Sequence, residues 1–320
     1  MPARRAIAIV NPASSNGRTM RRLPALEKGL RGALPDLALV HTEGPGHATL
    51  ICRDALDNGA ELVVSIGGDG TNNEVLCGFV DAHGKNRFPE AELALVHSGT
   101  GGDFVRHLGP KARATDLRRL GDGDAQLVDY GVATFVDHEG HEAVRPFLNV
   151  ASAGVSGLVD YYVGRSNKLL GPTATYIVGS LRGIVDYRNK RALVRIDGGP
   201  EFDLDLTILV VANGQYFGGG MWIAPHARCD DGVFDLVYAG GLSRPRLVGL
   251  LAKVFRGAHV GDPGVHGERA RSIDVRPRDD QDVVLIDLDG EQPGRLPASF
   301  RIEPAALRLV GVGFGQGSQS

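Results

Sequence analysis

Gly67, Gly68, Asp69, Gly70 and Thr71 stand where an apolar run gives way to a polar one, and their types suit a phosphate. Leu62 to Ile66 is short, apolar and β-branched, the pattern of a buried strand. Three glycines then bracket one carboxylate. Thr71 occupies an expected helix N-cap, with Glu74 at capping-box spacing. A strand running through a glycine turn into a helix presents backbone N–H groups beside the positive end of a helix dipole, as phosphate binding requires. Glycine allows positive φ and has no Cβ to keep a ligand away. Asp69 would repel a phosphate, so Mg²⁺ binding or proton acceptance suits it better. An Asp-Gly hairpin is the alternative, but the helical pattern that comes next opposes it.

A second group of acids lies near the other end. Along Val283–Asp289, Val284, Ile286 and Leu288 share one face of a strand while Asp287 and Asp289 share the other. The acids of Asp289-Gly290-Glu291 are therefore expected to stand off the core, where one can act as a general base if an acceptor hydroxyl comes within hydrogen-bond reach. The plain alternative is again an Asp-Gly turn. His47, His97 and His107 show no metal-ligand spacing.

These residues need a scaffold, and the chain supplies two patterns. Through residue 129, strand and helix alternate: strands at Ala6–Val10, Leu37–His41, Leu62–Ile66 and Leu93–His97, helices at about 19–34, 47–56 and from the glycine turn to about 81. Strands separated by helices predict a parallel sheet with ligands at the carboxyl ends of its strands. The loops after Val10, His41, Ile66 and His97 all lie at such ends. Beyond Asp129 the strands are short and alternating: Phe147–Val150, Ala192–Ile196, Phe202–Val211, Val233–Tyr238, Ser272–Val275, Val283–Leu288 and Ser299–Ile302. They predict a largely antiparallel sandwich. Two helical patterns interrupt it, at about 173–187 and 244–256. The second is basic and amphipathic, fit either to lie on a membrane surface or to pack on its own core.

With 320 residues, two domains of ordinary size are expected, and 42% hydrophobic with 23% charged residues suits a soluble globular chain. The 45 glycines promise many turns, and a net charge of −3 speaks against a nucleic-acid partner. Cys52, Cys77 and Cys229 are odd in number and scattered, as in a reducing, cytoplasmic compartment. The apolar start is too short for a signal peptide, and no run is long enough to span a bilayer.

From Gly67 to Val75 the sequence resembles the diacylglycerol kinase catalytic family, lipid kinases that include sphingosine kinases and bacterial diacylglycerol kinase-like enzymes. The likeness extends over nearly the whole chain. Asn11-Pro12 with Gly17 is similar to the family's first nucleotide loop, Thr42 with Gly44–Ala48 to its second, and Gly99–Phe104 to its third. At Gly102 the family usually carries Asn. Asn213-Gly214, Phe217–Gly220, Ala224-Pro225, Asp230-Asp231-Gly232 and Asp289-Gly290-Glu291 also match the pattern.

The resemblance implies an α/β nucleotide-binding domain at 1–129, completed by 304–320, and a β-sandwich lipid-substrate domain at 130–303. It implies an ATP- and Mg²⁺-dependent lipid kinase acting on a hydroxyl of a diacylglycerol-like or sphingoid lipid. Asn11, Pro12, Ser14, Ser15, Thr42, Gly67, Gly68, Gly70, Thr71, Asn72, Asn73 and Thr100 would line the nucleotide. Glu291 and Asp289, with Asp69 third, are the candidates for proton acceptor. Asp231, with the carbonyls of Arg228 and Val233, would hold a helper Mg²⁺. A membrane lipid as substrate, peripheral contact at the inner membrane face and a homodimer are the expected associations. The alternatives are a kinase of a soluble acceptor related to NAD kinases and a non-catalytic nucleotide- or lipid-binding protein. The β-rich second half opposes the first, and retained acids in three motifs oppose the second.

Overall fold

The structure, a computed structural model, describes residues 4–97, 102–109, 117–120, 125–165 and 172–310. The chain forms two compact units. One runs to Asp129 and resumes at Ala305; the other is Tyr130–Pro304.

In the first unit, strands and helices alternate: β1 (Ala6–Val10), α1 (Arg18–Ala33), β2 (Ala38–His41), α2 (His47–Asp57), β3 (Leu62–Gly67), α3 (Asp69–Phe79), β4 (Glu92–His97) and α4 (Asp103–His107). β1 pairs in parallel with both β2 and β3, and β3 in parallel with β4. Arg308–Val310 adds a parallel strand on the far side of β4. All six residues of β3 are buried, as the unbroken apolar run requires. After β1 the chain steps outward to β2 and returns on the opposite side as β3. The strand order therefore reverses between β1 and β3, and such a reversal opens a crevice at the carboxyl ends of the strands.

The second unit begins within β5 (Ala125–Asp137) and continues through β6 (Glu142–Phe147), β7 (Val150–Gly154), α5 (Val155–Arg165), α6 (Pro172–Asp186), β8 (Lys190–Ile196) and β9 (Phe202–Ala212). It ends with β10 (Tyr216–Phe217), β11 (Met221–Trp222), β12 (Phe234–Gly240), α7 (Arg244–Val254), β13 (Val265–Ala270), β14 (Ser272–Pro277), β15 (Leu285–Leu288) and the long β16 (Glu291–Val310). The registered pairs within this unit are antiparallel, with β9 between β12 and β7 and β15 between β7 and β16. Phe147 stacks on Phe234 with ring centroids 5.6 Å apart and meets Phe300 edge-on, at the centre of the core. A Cβ on Gly131 would lie 2.1 Å from Phe147 Cζ, so only glycine fits opposite that ring.

The sequence pattern went wrong at several places. Phe147–Val150 is not a strand but the junction of β6 and β7. The expected helix at 244–256 is shorter, and its apolar residues Leu250 and Val254 are buried on the protein's own core. Val155–Arg165, rich in β-branched and aromatic residues, is a helix that the pattern did not announce. Among the described residues, no helix is long and apolar enough to cross a membrane.

Candidate active site

The glycine turn joins β3 to α3, and α3 starts earlier than the capping-box spacing suggests. Its N-cap is Gly68, at φ −108° and ψ −171°, so Thr71 already lies inside the helix. Neither Gly67 nor Gly68 uses positive φ. The need for glycine at 67 is steric, because a Cβ there would sit 2.4 Å from Thr71 Oγ1. At Gly68 the space around a Cβ is open for 4 Å, which leaves a side from which a ligand can approach this backbone.

Side chains around the turn hold it in place. Asn11, just past β1, donates from Nδ2 to Thr71 Oγ1 at 3.0 Å and accepts the Ala13 N–H at 3.0 Å. The bond to Thr71 spans the reversal between β1 and β3. Ser14 donates to the Asn11 carbonyl at 2.8 Å and touches Thr19 Oγ1, while Pro12 lies in the turn before it and Ser15 in the short 3-10 helix Ser14–Gly17. Thr42 is buried, its N–H on the Val10 carbonyl. Asn72 is buried and accepts the Ser65 hydroxyl at 2.7 Å, and Asn73 is fully buried. These two asparagines brace the loop from beneath. Thr100 lies outside the described residues.

The acids of α3 serve its neighbours. Asp69 Oδ2 accepts the N–H groups of Gly102 at 3.1 Å and Asp103 at 3.3 Å, where α4 begins. Glu74 does not cap its own helix; its carboxylate accepts Gly46 N–H at 2.9 Å and Ala48 N–H at 3.2 Å, at the start of α2. Thr49 donates to the Glu74 carbonyl at 2.7 Å. Helix starts leave N–H groups that need acceptors, so α3 fills two flanking helix starts with carboxylates. Among the described residues, no side chain accepts from Gly68, Gly70 or Thr71 N–H, so the start of α3 keeps its donors and its positive dipole end for an anion.

The second unit holds the other acids. Leu288 pairs with Glu291, and Asp289 and Gly290 take φ 53° and 87°, making a two-residue hairpin of the kind Asp-Gly favours. The Asp289 carboxylate accepts three backbone N–H groups, from Leu148 at 2.8 Å, Asn149 at 2.9 Å and Val150 at 3.1 Å. It thereby fixes the β6–β7 junction, and this engagement leaves it poorly placed to take a substrate proton. Glu291 meets Arg145 Nη2 at 2.6 Å and keeps 42% of its side chain exposed.

Asp287 departs from the strand pattern. It is buried, with Oδ1 accepting Gly290 N–H at 2.8 Å and Oδ2 accepting the Ser152 hydroxyl at 3.1 Å. The cause is α5, which covers the face that the alternation left open: a Cβ on Gly157 would lie 2.7 Å from the Leu285 backbone. Burial, and then the neighbouring Asp160, push the Asp287 carboxyl well above the usual carboxylate range. Sequence reasoning passed over Asp160 and Arg145 and set Asp287 on the open face of its strand. Their partners lie on other elements, and only Asp287 carried a local signal, an acid in an apolar strand.

At the proposed metal loop, Arg228 binds Asp230 through two contacts of 3.0 and 3.2 Å. Asp231 is paired with Arg269, and its Oδ1 faces Val233 N–H at 3.4 Å. Nearby Asp235 is pushed above its usual range, chiefly by burial. Mg²⁺ requires a set of oxygen ligands. Arg269 engages the Asp231 carboxylate that the sequence reading assigned to Mg²⁺, and the carbonyls of Arg228 and Val233 would have to complete the set.

Between α5, α6, α7 and strands β9 and β12 lies an apolar cavity of about 100 Å³. Val159, Ile184, Ile208, Leu247, Leu251 and Val254 form much of its wall. Polar groups are few: Ser156 and Asp160 on one turn of α5, Ser180, and His259, whose Nε2 lies 2.9 Å from the Ile223 carbonyl. Ser156 Oγ is buried and, among the described residues, has no hydrogen-bond partner. Wholly apolar cavities of roughly 150 Å³ stay dry and accept apolar guests.

Residues 5–133 match the diacylglycerol kinase catalytic domain, and residues 149–311 match the YegS C-terminal NAD kinase beta sandwich-like domain. A curated diacylglycerol kinase of Staphylococcus saprophyticus is 30% identical over 300 residues, spanning 93% of this chain and 92% of the relative. One from Mycobacterium tuberculosis is 28% identical over 313 residues, spanning 95% of this chain and 94% of the relative. A crystal structure of a Bacillus anthracis chain aligns with a TM-score of 0.74 at 24% identity, covering 97% of this chain and 98% of that one.

Proposed function

The chain belongs to the diacylglycerol kinase family, and we propose that it transfers the γ-phosphoryl group of ATP to a hydroxyl of a diacylglycerol-like or sphingoid lipid. The observation that carries this reading is the start of α3, whose acids occupy neighbouring helix starts while its own N–H donors stay available. Phosphoryl transfer is mostly positioning and charge neutralisation. The N–H groups of Gly68, Gly70 and Thr71 supply both to a phosphate chain. Asn11 and Thr42 border it, and Asp69 keeps the backbone at Gly102 and Asp103 in place. Mg²⁺ arriving with ATP would bridge phosphate oxygens and offset their charge. No step runs through Asp231.

Glu291 takes the acceptor's proton in this reading. It is the acid of the Asp289-Gly290 hairpin with an exposed carboxylate, and Arg145 fixes its direction. Asp289 acts as a positioning residue beneath it. The apolar cavity favours a lipid over a soluble acceptor such as a dinucleotide, since its few polar groups would leave most of a dinucleotide's hydrogen bonds unmet. A lipid substrate also brings the working protein to a membrane surface.

The test is transfer of labelled phosphate from ATP to a panel of extracted lipids, with NAD as a parallel acceptor. Label in a lipid band that depends on Mg²⁺ is the expected result. Label in the dinucleotide, or in nothing, overturns the reading.

A further inference from the structure

Helix α6 carries an apolar face that the described residues of its unit leave exposed. Ile177, Val178, Leu181 and Val185 are all exposed, Val178 at 54% and Val185 at 60%. At about 100° per residue, these four side chains fall within one arc of about 100°. The opposite face is fully used. Gly179 and Gly183 lie so close to α5 that a Cβ would sit 2.6 Å from Val163 and 2.7 Å from Val159, and Ser180 and Ile184 line the apolar cavity. The exposed stripe is therefore surplus to internal packing. Soluble surfaces scatter single apolar residues but seldom align four of them.

We infer that this arc is the face by which the protein rests on an anionic lipid bilayer. The charges around it are complementary to such a surface. Arg182 borders the arc, and Arg188 lies just past the last turn, exposed. Helix α7 packs beside α6 and presents the exposed Arg244, with Lys253 paired to Asp262 at 2.7 Å and Arg246 donating to the Pro263 carbonyl, and has no acidic residue of its own. Asp186, the acid at the edge, is already engaged: Tyr162 donates to it at 2.5 Å, and Arg182 lies 4.0 Å away with its guanidinium 4.4 Å over the Tyr162 ring. Apolar side chains entering the headgroup boundary, with arginines at phosphate level, match interfacial helix binding. The basic helix at 244–256, for which the sequence left a membrane surface and its own core as alternatives, contributes charge here, while its apolar side faces the cavity. Because α6 also walls that cavity, a bilayer on its outer face brings lipid tails to the wall of the apolar slot. The inference deepens the lipid-kinase reading and rests on it for its purpose, though not for its test.

The test is sedimentation of the full chain, without ATP, with phosphatidylcholine vesicles that contain or lack phosphatidylglycerol. Wild type should partition to the anionic vesicles, and V178E/L181E should partition at least about tenfold less with an unchanged thermal midpoint. If that variant loses its thermal transition, V178S/L181S takes its place with the same expectation at smaller size. Failure of wild type to sediment, or equal partition of wild type and variant, overturns the inference. So does a wild-type dimer that the variant converts to monomer, since a second copy would then cover the face. Phosphorylation of a short-chain diacylglycerol dissolved as monomers is measured in parallel. Vesicle binding that depends on the arc, with no lipid phosphorylated, would sink the kinase reading and leave the membrane face standing.

Discussion

Asp69-Gly70 and Asp289-Gly290 are the same dipeptide at the ends of two buried strands, and the chain folds them in opposite ways. The first enters an eleven-residue helix, and the second turns back on itself as a two-residue hairpin. The residues downstream of each pair decide between the two outcomes. After Gly70, Val75, Leu76 and Phe79 recur at helical spacing and are fully buried. After Gly290, Gly294, Leu296, Ala298, Phe300 and Ile302 alternate as the inward face of a strand. Yet the two carboxylates do related work, each gathering backbone N–H groups from a distant segment: among the described residues, Gly102 and Asp103 for Asp69, and Leu148, Asn149 and Val150 for Asp289. An acid in a glycine turn can thus serve as a clamp on backbone far along the chain.

The most severe test of that comparison is Glu291→Gln. Removing a positioned general base lowers turnover by about 10² to 10⁴, or roughly 3–5 kcal/mol in the barrier, while the thermal midpoint should hardly move. Steady-state rates on the lipid acceptor decide. Turnover within about threefold of wild type would return the hairpin to a purely structural role.

Asp289→Ala should act on stability first. Three N–H groups lose a charged acceptor, and at about 1–3 kcal/mol for each unmet buried donor, partly relieved by water, a loss of about 3 kcal/mol is expected. Asp69→Ala removes an acceptor from two N–H groups at the start of a five-residue helix, for which about 1–2 kcal/mol is expected, together with weaker ATP binding. Urea midpoints at constant slope measure both. Equal losses, or a larger loss at Asp69, would erase the contrast between clamp strengths.

The hairpin also rests on Asp287, which gives the comparison a pH dependence. Its carboxyl is held above the ordinary value by burial, so between the unfolded and folded pKa the folded state binds more protons than the unfolded state. Stability then falls as pH rises through that window, starting near the unfolded value of about 4. Asp287→Asn keeps an acceptor for Gly290 N–H and removes the titration. Its stability relative to wild type should rise from pH 4 to pH 8 by denaturant titration. Parallel curves for the two proteins would mean that Asp287 does not bind its proton in the fold.

How much of this could be read from residue order alone depends on the range of each interaction. The parallel strands β1, β3 and β4 were visible because apolar runs between helices carry their own signal. Val155–Arg165 was not visible, since VSGLVDYYVGR holds residues that favour strands and becomes helical through packing on β15. That omission also misplaced Asp287: with α5 unseen, the second face of its strand looked open. Strand β16 contains Pro293, Pro297 and Pro304, which broke the pattern into fragments. At the site, the turn itself was legible, but the acceptors it serves were not. Asp69 reaches 33 residues along the chain and Glu74 reaches 28 back, distances over which local spacing carries no information.

The smallest expected effect lies at the far end of the Asp69 clamp. Gly102 takes φ 79° and ψ 56°, the left-handed region, and donates its N–H to Asp69. Asparagine tolerates this region better than other side-chain-bearing residues do, whereas a β-branched residue there is an outlier. Gly102→Asn should therefore shift stability by less than about 1 kcal/mol, since reduced freedom in the unfolded chain offsets residual strain. Its amide can add at most one neutral hydrogen bond, about 0.5–1.5 kcal/mol, so ATP should bind between equally and roughly tenfold tighter. Gly102→Val must strain the turn by about 1–2 kcal/mol or flip it, and a flipped turn releases Asp69. Nucleotide titrations on the three proteins, with urea midpoints alongside, read both quantities. If valine leaves ATP affinity and stability at the wild-type values, the left-handed turn does not support the Asp69 clamp, and the link between α4 and the glycine turn is broken.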